Sequence, residues 1–149
     1  MKPVVMSLGL ALLAAPALAA DPAAEIAALV TKSTAAYNKQ DVKYFESALG
    51  ADVVYVADDG ATFASRQKVV GLFGRLFART PPPQLEVTDV VTNFKGDVAW
   101  SRYKWKLSGG AKARQGMGVT LFAKEGADWK IVHVQNTLDG HAAAAAHGH

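Results

Sequence analysis

The spacing of apolar and polar residues changes once along the chain, from a helical period to an alternating one. Before the run Pro81-Pro82-Pro83, apolar side chains recur mostly at intervals of three and four residues, as on one face of a helix. After that run, apolar and polar residues mostly alternate, as on the two faces of a strand. The pattern therefore predicts helices before the prolines and a succession of strands after them.

Three helices are predicted, and a capping residue precedes each one. Asp21 can cap a first helix that ends at residues 38–40, and the proline that follows Asp21 is tolerated at the first helical position. Asp41 can cap a short second helix that stops at Gly50, and Ser65 can cap a third helix that the proline run terminates.

Five strands are predicted from β-branched and aromatic runs that turn residues separate. One strand, residues 52–58, lies between the second and third helices. The other four follow the prolines, near residues 85–92, 98–108, 113–124 and 129–138. Helices followed by a strand meander indicate an α+β fold, in which one curved antiparallel sheet packs around helices on its inner face. Such a fold leaves room for a pocket between the sheet and the helices.

The first residues of the chain have the order of a secretory signal peptide. A positive residue, an apolar run, Pro16 and the small-residue motif Ala17-Leu18-Ala19 follow one another within residues 1–19. Because Pro16 interrupts the run before it reaches the length of a membrane span, we expect cleavage rather than a membrane anchor. The mature protein is then periplasmic or secreted, and it does not associate with a membrane.

The last residues form an Ala/His-rich tail, 139–149, which we expect to be disordered. The folded domain is therefore predicted to span residues 20–138. Three of the four histidines lie in the tail, where imidazoles can bind copper, nickel or zinc without the fixed geometry of a true site. We predict no metal site and no cofactor.

Composition narrows the chemistry that the domain can perform. Half of the 149 residues are apolar, 19% are charged and the mean hydropathy is +0.09, which excludes a disordered chain and a polytopic membrane protein. The net charge of +3 is small, so nucleic acid is not an expected partner. Cysteine is absent, so any catalysis must use His, carboxylate, Tyr, Lys or Ser side chains.

Four sequence segments carry a resemblance to a known family. They are Tyr37-Asn38-Lys39-Gln40-Asp41, Ala51-Asp52-Val53-Val54-Tyr55, Gly96-Asp97-Val98-Ala99-Trp100 and Trp129-Lys130-Ile131-Val132-His133-Val134. Their order and spacing resemble the nuclear transport factor 2-like (NTF2-like) superfamily, and most closely its SnoaL-like and kinase-association-type members. The resemblance implies a cone-shaped α+β fold with an internal pocket, and a homodimer that forms through the sheet.

The ketosteroid-isomerase pattern of this superfamily does not transfer to the chain. Its tyrosine position falls on Ser33 and its carboxylate base position falls on Ala57, so neither role is filled. Asp58 lies one residue further, and strand alternation points it to the opposite face unless a bulge restores it. With a bulge, Asp58 becomes a candidate general base; otherwise it belongs to a solvated turn.

The kinase-association pattern transfers in part. Its first inward-facing arginine matches Arg102, whereas its other two arginine positions fall on Thr120 and Asn136. All three residues are candidates for binding a ligand. Arg102 shares a strand face with Trp100. If that face is concave, Arg102 can hold a carboxylate or an enolate and Trp100 forms a pocket wall; if it is convex, Arg102 belongs to a solvated stripe. The family comparison favours the concave alternative.

Three further side chains are candidates for the same pocket. Tyr37 and Tyr55 can each present a hydroxyl group, although aromatic residues at these spacings are also ordinary core. His133 could act as a general base near neutral pH, or it could be a structural or interface residue.

The sequence thus predicts a domain that binds a small, partly apolar organic molecule. An isomerase, dehydratase or cyclase that transfers protons through Asp58 or His133 is the alternative. A structural assembly module, with its pocket filled by its own aromatic side chains, is a third possibility.

Overall fold

A computed structural model describes residues 21–110 and 112–140, and it confirms the α+β class. Three helices and six strands follow one another along the chain. They are α1 (Pro22–Asn38), α2 (Val42–Ala48), β1 (Leu49–Val56), β2 (Thr62–Ala64), α3 (Arg66–Phe77), β3 (Gln84–Lys95), β4 (Val98–Ser108), β5 (Arg114–Glu125) and β6 (Asp128–Leu138).

The three predicted helix caps are present. The carboxylates of Asp21 and Asp41 accept the backbone N–H groups of Ala23 and Tyr44 at 3.0 and 3.1 Å, and the Ser65 hydroxyl accepts a third at 3.4 Å. Each cap satisfies a backbone donor that the first turn of its helix leaves free.

The six strands form one sheet in the order β2-β1-β6-β5-β4-β3. β3 to β6 are an antiparallel meander, as predicted, but β1 runs parallel to β6. The expectation of a wholly antiparallel sheet was therefore wrong for this pair. No hairpin joins β1 to β6, so nothing in the local sequence fixes their relative direction.

Gly50 does not end α2 as predicted, because it lies inside β1. A Cβ atom at this position would lie 3.2 Å from Oε1 of Glu125 and 3.5 Å from the carbonyl oxygen of Ile131. Glycine here permits the close approach of β1 to β6 and to the last residue of β5. The short β2 was not predicted either, because three mostly exposed residues carry no clear alternation.

The core fills one end of the space between the sheet and the helices. Ile26, Val53 and Phe122 are at most 1% exposed there, and Nε1 of Trp129 donates a hydrogen bond to the Glu25 carboxylate at 2.9 Å. These contacts close that end of the molecule, and they leave the space at the opposite end of the sheet for a cavity.

Within residues 21–110 and 112–140, no helix is both long enough and apolar enough to cross a bilayer. The predicted signal peptide lies outside the described residues, as does the tail from residue 141 onward.

Candidate functional site

A cavity of about 670 Å³ lies between the inner face of the sheet, α1 and α3. Its size is in the range of sites that bind drug-sized molecules. Its walls are mostly apolar, and aromatic rings form a large part of them. The large apolar and aromatic residues that line it are Val30, Tyr37, Phe45, Leu49, Tyr55, Phe63, Leu72, Phe73, Leu76, Leu85, Val87, Tyr103, Trp105, Leu107, Phe122, Ile131 and Val134.

Strand β4 shows which face of the sheet is concave. Ser101, Tyr103 and Trp105 face inward, and the last two line the cavity. Trp100 and Arg102 alternate with them and lie exposed on the outer, convex face, where the Trp100 side chain is 37% exposed. Neither Arg102 nor Trp100 lines the cavity, so the concave alternative that the sequence favoured for their face is wrong. Alternation fixes which residues share a face, but not which face is concave.

His133 also lies on the outer face. Leu121 of β5 pairs with His133 of β6, whereas the next residue, Phe122, pairs with Ile131. The register of the two strands therefore shifts by one residue between these pairs, which is a β-bulge. This bulge brings both Ile131 and Val134 to the cavity side, which strict alternation does not allow. The cavity lining therefore does not include His133, and the hypothesis that His133 is the base in this cavity is wrong.

The other five predicted site residues all line the cavity: Tyr37, Tyr55, Asp58, Thr120 and Asn136. The Thr120 hydroxyl is 2.9 Å from the Tyr103 hydroxyl, so these two groups satisfy each other in an apolar environment. Nδ2 of Asn136 donates a hydrogen bond to the carbonyl oxygen of Val56 at 3.2 Å. The inner wall thus presents hydrogen-bonding groups whose orientation is fixed.

Asp58 reaches the cavity because β1 ends before it. The strand stops at Val56, and the backbone N–H of Ala57 bonds to the carbonyl oxygen of Ala61 at 2.9 Å, which closes a turn. Strand alternation no longer applies within this turn. The sequence analysis required a bulge to point Asp58 inward. This turn has the same effect, and Asp58 lines the cavity.

Asp58 forms an ion pair with Arg114, the first residue of β5. Nη1 of Arg114 donates a hydrogen bond to Oδ1 at 3.0 Å and lies 2.8 Å from Oδ2. The side chain of Asp58 is 10% exposed and that of Arg114 is 43% exposed. Oδ2 is buried, and among the described residues it has no donor with hydrogen-bond geometry. The contact of Oδ2 with Arg114 is therefore electrostatic rather than a well-aligned hydrogen bond.

The tyrosines of the cavity are protonated hydrogen-bond donors at neutral pH. Burial raises the pKa of Tyr37 to about 12, although the positive charges of Arg114 and Arg79 oppose this effect. Burial also raises the pKa of Tyr55 and of Tyr103 above the ordinary value for tyrosine. Since the charges of Arg114 and Asp58 act on both Tyr37 and Tyr55, these four groups share one electrostatic environment.

Sequence reasoning missed three cations that line the cavity: Arg79, Lys112 and Arg114. Arg79 lies between the end of α3 and the proline run, Lys112 lies just before β5, and Arg114 is the first residue of β5. These segments are far apart in sequence, but the start of β5 lies beside the end of β4, which pairs with the start of β3. The sequence did contain a signal for this proximity. Alternate turns of an antiparallel meander lie at the same end of the sheet, so cations near the start of β3 and the start of β5 are expected to lie close together.

Two glycines on β5 create room inside the cavity. Gly116 pairs with Trp105 and Gly118 with Tyr103. A Cβ atom at Gly118 would lie 2.4 Å from the Tyr103 ring, and one at Gly116 would lie 1.8 Å from the carbonyl oxygen of Thr137. Because neither position has a side chain, the large rings of β4 can lie against the sheet.

The described ranges, 21–110 and 112–140, contain no group of three or more His, Asp or Glu side chains that could hold a metal ion. The predicted metal affinity of the histidine tail falls on residues outside these ranges.

A curved sheet that packs around helices and encloses a cavity is the architecture of the NTF2-like, or cystatin-like, cone folds. Solved structures of this class are similar to the chain. An uncharacterized protein with a cystatin-like fold from Caulobacter vibrioides has a TM-score of 0.73 at 15% identity, covering 84% of this chain and 94% of that one. An NTF2-like protein from Novosphingobium aromaticivorans has a TM-score of 0.68 at 22% identity, covering 83% and 86%.

A third similar structure is a provisionally assigned dehydratase of the NTF2-like family from Streptomyces avermitilis, with a TM-score of 0.68 at 18% identity over 78% of this chain and 94% of that one. The family model for the SnoaL-like domain matches residues 26–137. The chain therefore belongs to the SnoaL-like domain family. A comparison with curated proteins found no match.

Proposed function

We propose that this protein binds a small, mainly apolar organic molecule inside the cavity. The observation that supports this function is the cavity itself, about 670 Å³ of space lined by aromatic and aliphatic side chains. A structural assembly module would fill that space with its own rings. Here the rings of Tyr103 and Trp105 lie against the sheet at Gly118 and Gly116, which have no side chains, and the space remains open. Apolar walls supply affinity, and the few fixed polar groups orient the ligand.

A neutral, environment-sensitive dye such as Nile red tests this function in the wild-type protein and in a cavity-filling variant. Val134 faces the cavity from β6, so Val134→Trp places an indole ring in it. Lys106→Trp adds the same ring on the exposed outer face of β4 and is the control. We expect wild type and Lys106→Trp to bind the dye and Val134→Trp to bind it at least tenfold more weakly. Equal binding by all three proteins would place the dye outside the cavity.

An acid–base enzyme is the second candidate, and one observation favours it. The Asp58 carboxylate lines the cavity, and among the described residues only Arg114, whose side chain is 43% exposed, pairs with it. A carboxylate in that position can remove a proton next to a carbonyl group, and a Tyr37 or Tyr55 hydroxyl can stabilise the enolate that forms. The dehydratase assignment of a structural relative agrees with such chemistry without transferring it.

Deuterium incorporation into an aliphatic ketone such as 2-decanone, in heavy water, tests this second candidate. If Asp58 is a base, wild type accelerates the exchange and Asp58→Asn does not. Asp52→Asn, which alters an exposed carboxylate on β1, retains the wild-type rate. Equal rates in wild type and Asp58→Asn would exclude this role of Asp58.

We also propose that two copies of the chain associate through the outer face of the sheet. Strands β3, β4 and β5 carry large apolar side chains there, with Val91 48%, Met117 38% and Trp100 37% exposed. A second copy would cover this surface, as the resemblance to NTF2-like proteins implies. Light scattering after size exclusion should give a dimer for wild type and a monomer for Trp100→Asp. A monomeric wild-type protein would contradict the proposal.

The proposed location is the periplasm or the exterior of the cell, with residues 1–19 removed. The support is the order of residues in the predicted signal peptide. The intact mass of the protein purified from its own host should correspond to a chain that begins at Ala20. A mass that includes residues 1–19 would contradict this location.

A further inference from the structure

We propose that the ligand of the cavity is an elongated amphipathic anion, whose apolar body lies inside and whose anionic group lies at the mouth between Arg79 and Lys112. This inference rests on the proposed binding function and adds the chemical class of the molecule that is bound.

The cavity is long, and its polarity changes along its length. Strand β5 contributes Phe122, Thr120 and Arg114 to the lining, and the rings of Tyr103 and Trp105 line it between Thr120 and Arg114, over Gly118 and Gly116. At about 3.4 Å per residue, the stretch from Phe122 to Arg114 spans roughly 27 Å. Its inner end is apolar and closed by the core, and all charged residues of the lining lie toward the opposite end.

The mouth has an excess of positive charge. Arg79, Lys112 and Arg114 line it together with two carboxylates, Asp58 and Asp59. Arg114 is neutralised by its ion pair with Asp58. The Asp59 carboxylate accepts the backbone N–H of Ala61 at 2.9 Å and thereby stabilises the turn after β1.

Arg79 has no comparable partner, since it forms no ion pair with any residue in 21–110 or 112–140. Its charge nevertheless acts on the Tyr37 hydroxyl inside the cavity, which indicates that the guanidinium lies within electrostatic range of the interior. A planar guanidinium at the edge of an apolar wall can donate two parallel hydrogen bonds to a carboxylate or a phosphate. The ammonium group of Lys112 adds a second positive charge.

A matched series of ligands with the same ten-carbon chain tests the inference by displacement of Nile red at neutral pH. Decanoate carries a negative head group, decan-1-ol a neutral one and decylammonium a positive one. We expect decanoate to bind about tenfold more tightly than decanol, and decylammonium to bind more weakly than decanol. Equal affinity for decanoate and decanol would overturn the inference, since the cations would then be solvated surface charges.

The double variant Arg79→Gln/Lys112→Gln assigns the preference to these two residues. Both side chains are exposed, so their replacement does not disturb the core, whereas a change at Arg114 would leave Asp58 unpaired. We expect the preference for decanoate to fall to about threefold or less, with decanol affinity unchanged. Lys106→Gln removes a charge from the outer face and should retain the tenfold preference. A double variant that retains it too would overturn the inference.

Failure of the inference is distinguishable from failure of the proposed function. If Nile red and decanol bind and Val134→Trp abolishes their binding, the cavity is a ligand site whatever decanoate does. If neither the dye nor any of the three ten-carbon ligands binds, the proposed function fails and the inference fails with it.

Discussion

The ring of Tyr103 on β4 occupies the space that a side chain at Gly118 on β5 would need. A Cβ atom at residue 118 would lie 2.4 Å from Cε2 of the ring and 2.9 Å from its hydroxyl oxygen. The same hydroxyl is 2.9 Å from Oγ1 of Thr120. Because Gly118 has no side chain, the Tyr103 ring can occupy this space. The position of the ring then places the Tyr103 hydroxyl next to Thr120 in the cavity wall.

Gly118→Ala should accordingly disturb the cavity wall. The methyl group must displace the Tyr103 ring, so we expect a loss of about 1–3 kcal/mol in the free energy of unfolding, measured in urea. Gly74→Ala is the control, because Gly74 lies in α3 with no atom within 4 Å of an added Cβ. It should be neutral or stabilising, by up to about 1 kcal/mol. A Gly118→Ala protein as stable as wild type would show that the ring adapts freely.

Asp58 and Arg114 should be energetically coupled. Urea unfolding of Asp58→Asn, Arg114→Gln and the double variant forms a double-mutant cycle. Because Asp58 is largely buried and Arg114 is 43% exposed, we expect a coupling of about 1 kcal/mol rather than the larger values of fully buried pairs. Arg114→Gln alone should be the more harmful single change, since it leaves a buried carboxylate unpaired. Additive single effects would contradict the ion pair.

Tyr37 should make stability fall at high pH. Its pKa is about 12 in the folded protein and about 10 in the unfolded chain, so between pH 10 and 12 the unfolded state loses the proton first. The free energy of unfolding then falls as the pH rises, by up to about 1.4 kcal/mol per pH unit from this residue. Tyr37→Phe should show a shallower fall between pH 10 and 11 than wild type. Parallel curves would mean that the Tyr37 hydroxyl is not desolvated.

Arg102→Ala should leave ligand binding unchanged. Arg102 lies on the outer face beside Val91 and Val119, on the side of the sheet opposite the cavity. We expect the affinities for Nile red and decanoate to remain within about twofold of wild type, since a screened surface charge has little effect at that distance. A loss of binding would place Arg102 in the site and contradict the assignment of the concave face.

The fold was predictable because its signals are local. Caps at Asp21, Asp41 and Ser65, the proline run and the alternation after it are all readable from short stretches of sequence. The parallel direction of β1 against β6 was not predictable in this way. It depends on packing between strands that no hairpin connects.

Only part of the candidate site was predictable from the sequence. The other residues were misplaced or missed for two different reasons. Arg102 and His133 were misplaced because strand alternation does not say which face is concave, and because a bulge in β6 shifts the alternation. Arg79 and Lys112 were missed because their position at the mouth depends on how separate turns meet in space. Asp58 was correctly kept as a cavity candidate, although a turn rather than a bulge brings it inward.

Native mass spectrometry of the protein, purified without denaturation from its own host, tests the central claim most directly. If the cavity is a ligand site, wild type should carry extra mass of roughly a few hundred daltons, as expected for a drug-sized molecule, and denaturation should release it. Val134→Trp, purified in the same way, should carry none. The same adduct on both proteins, or no adduct on either, would contradict the account.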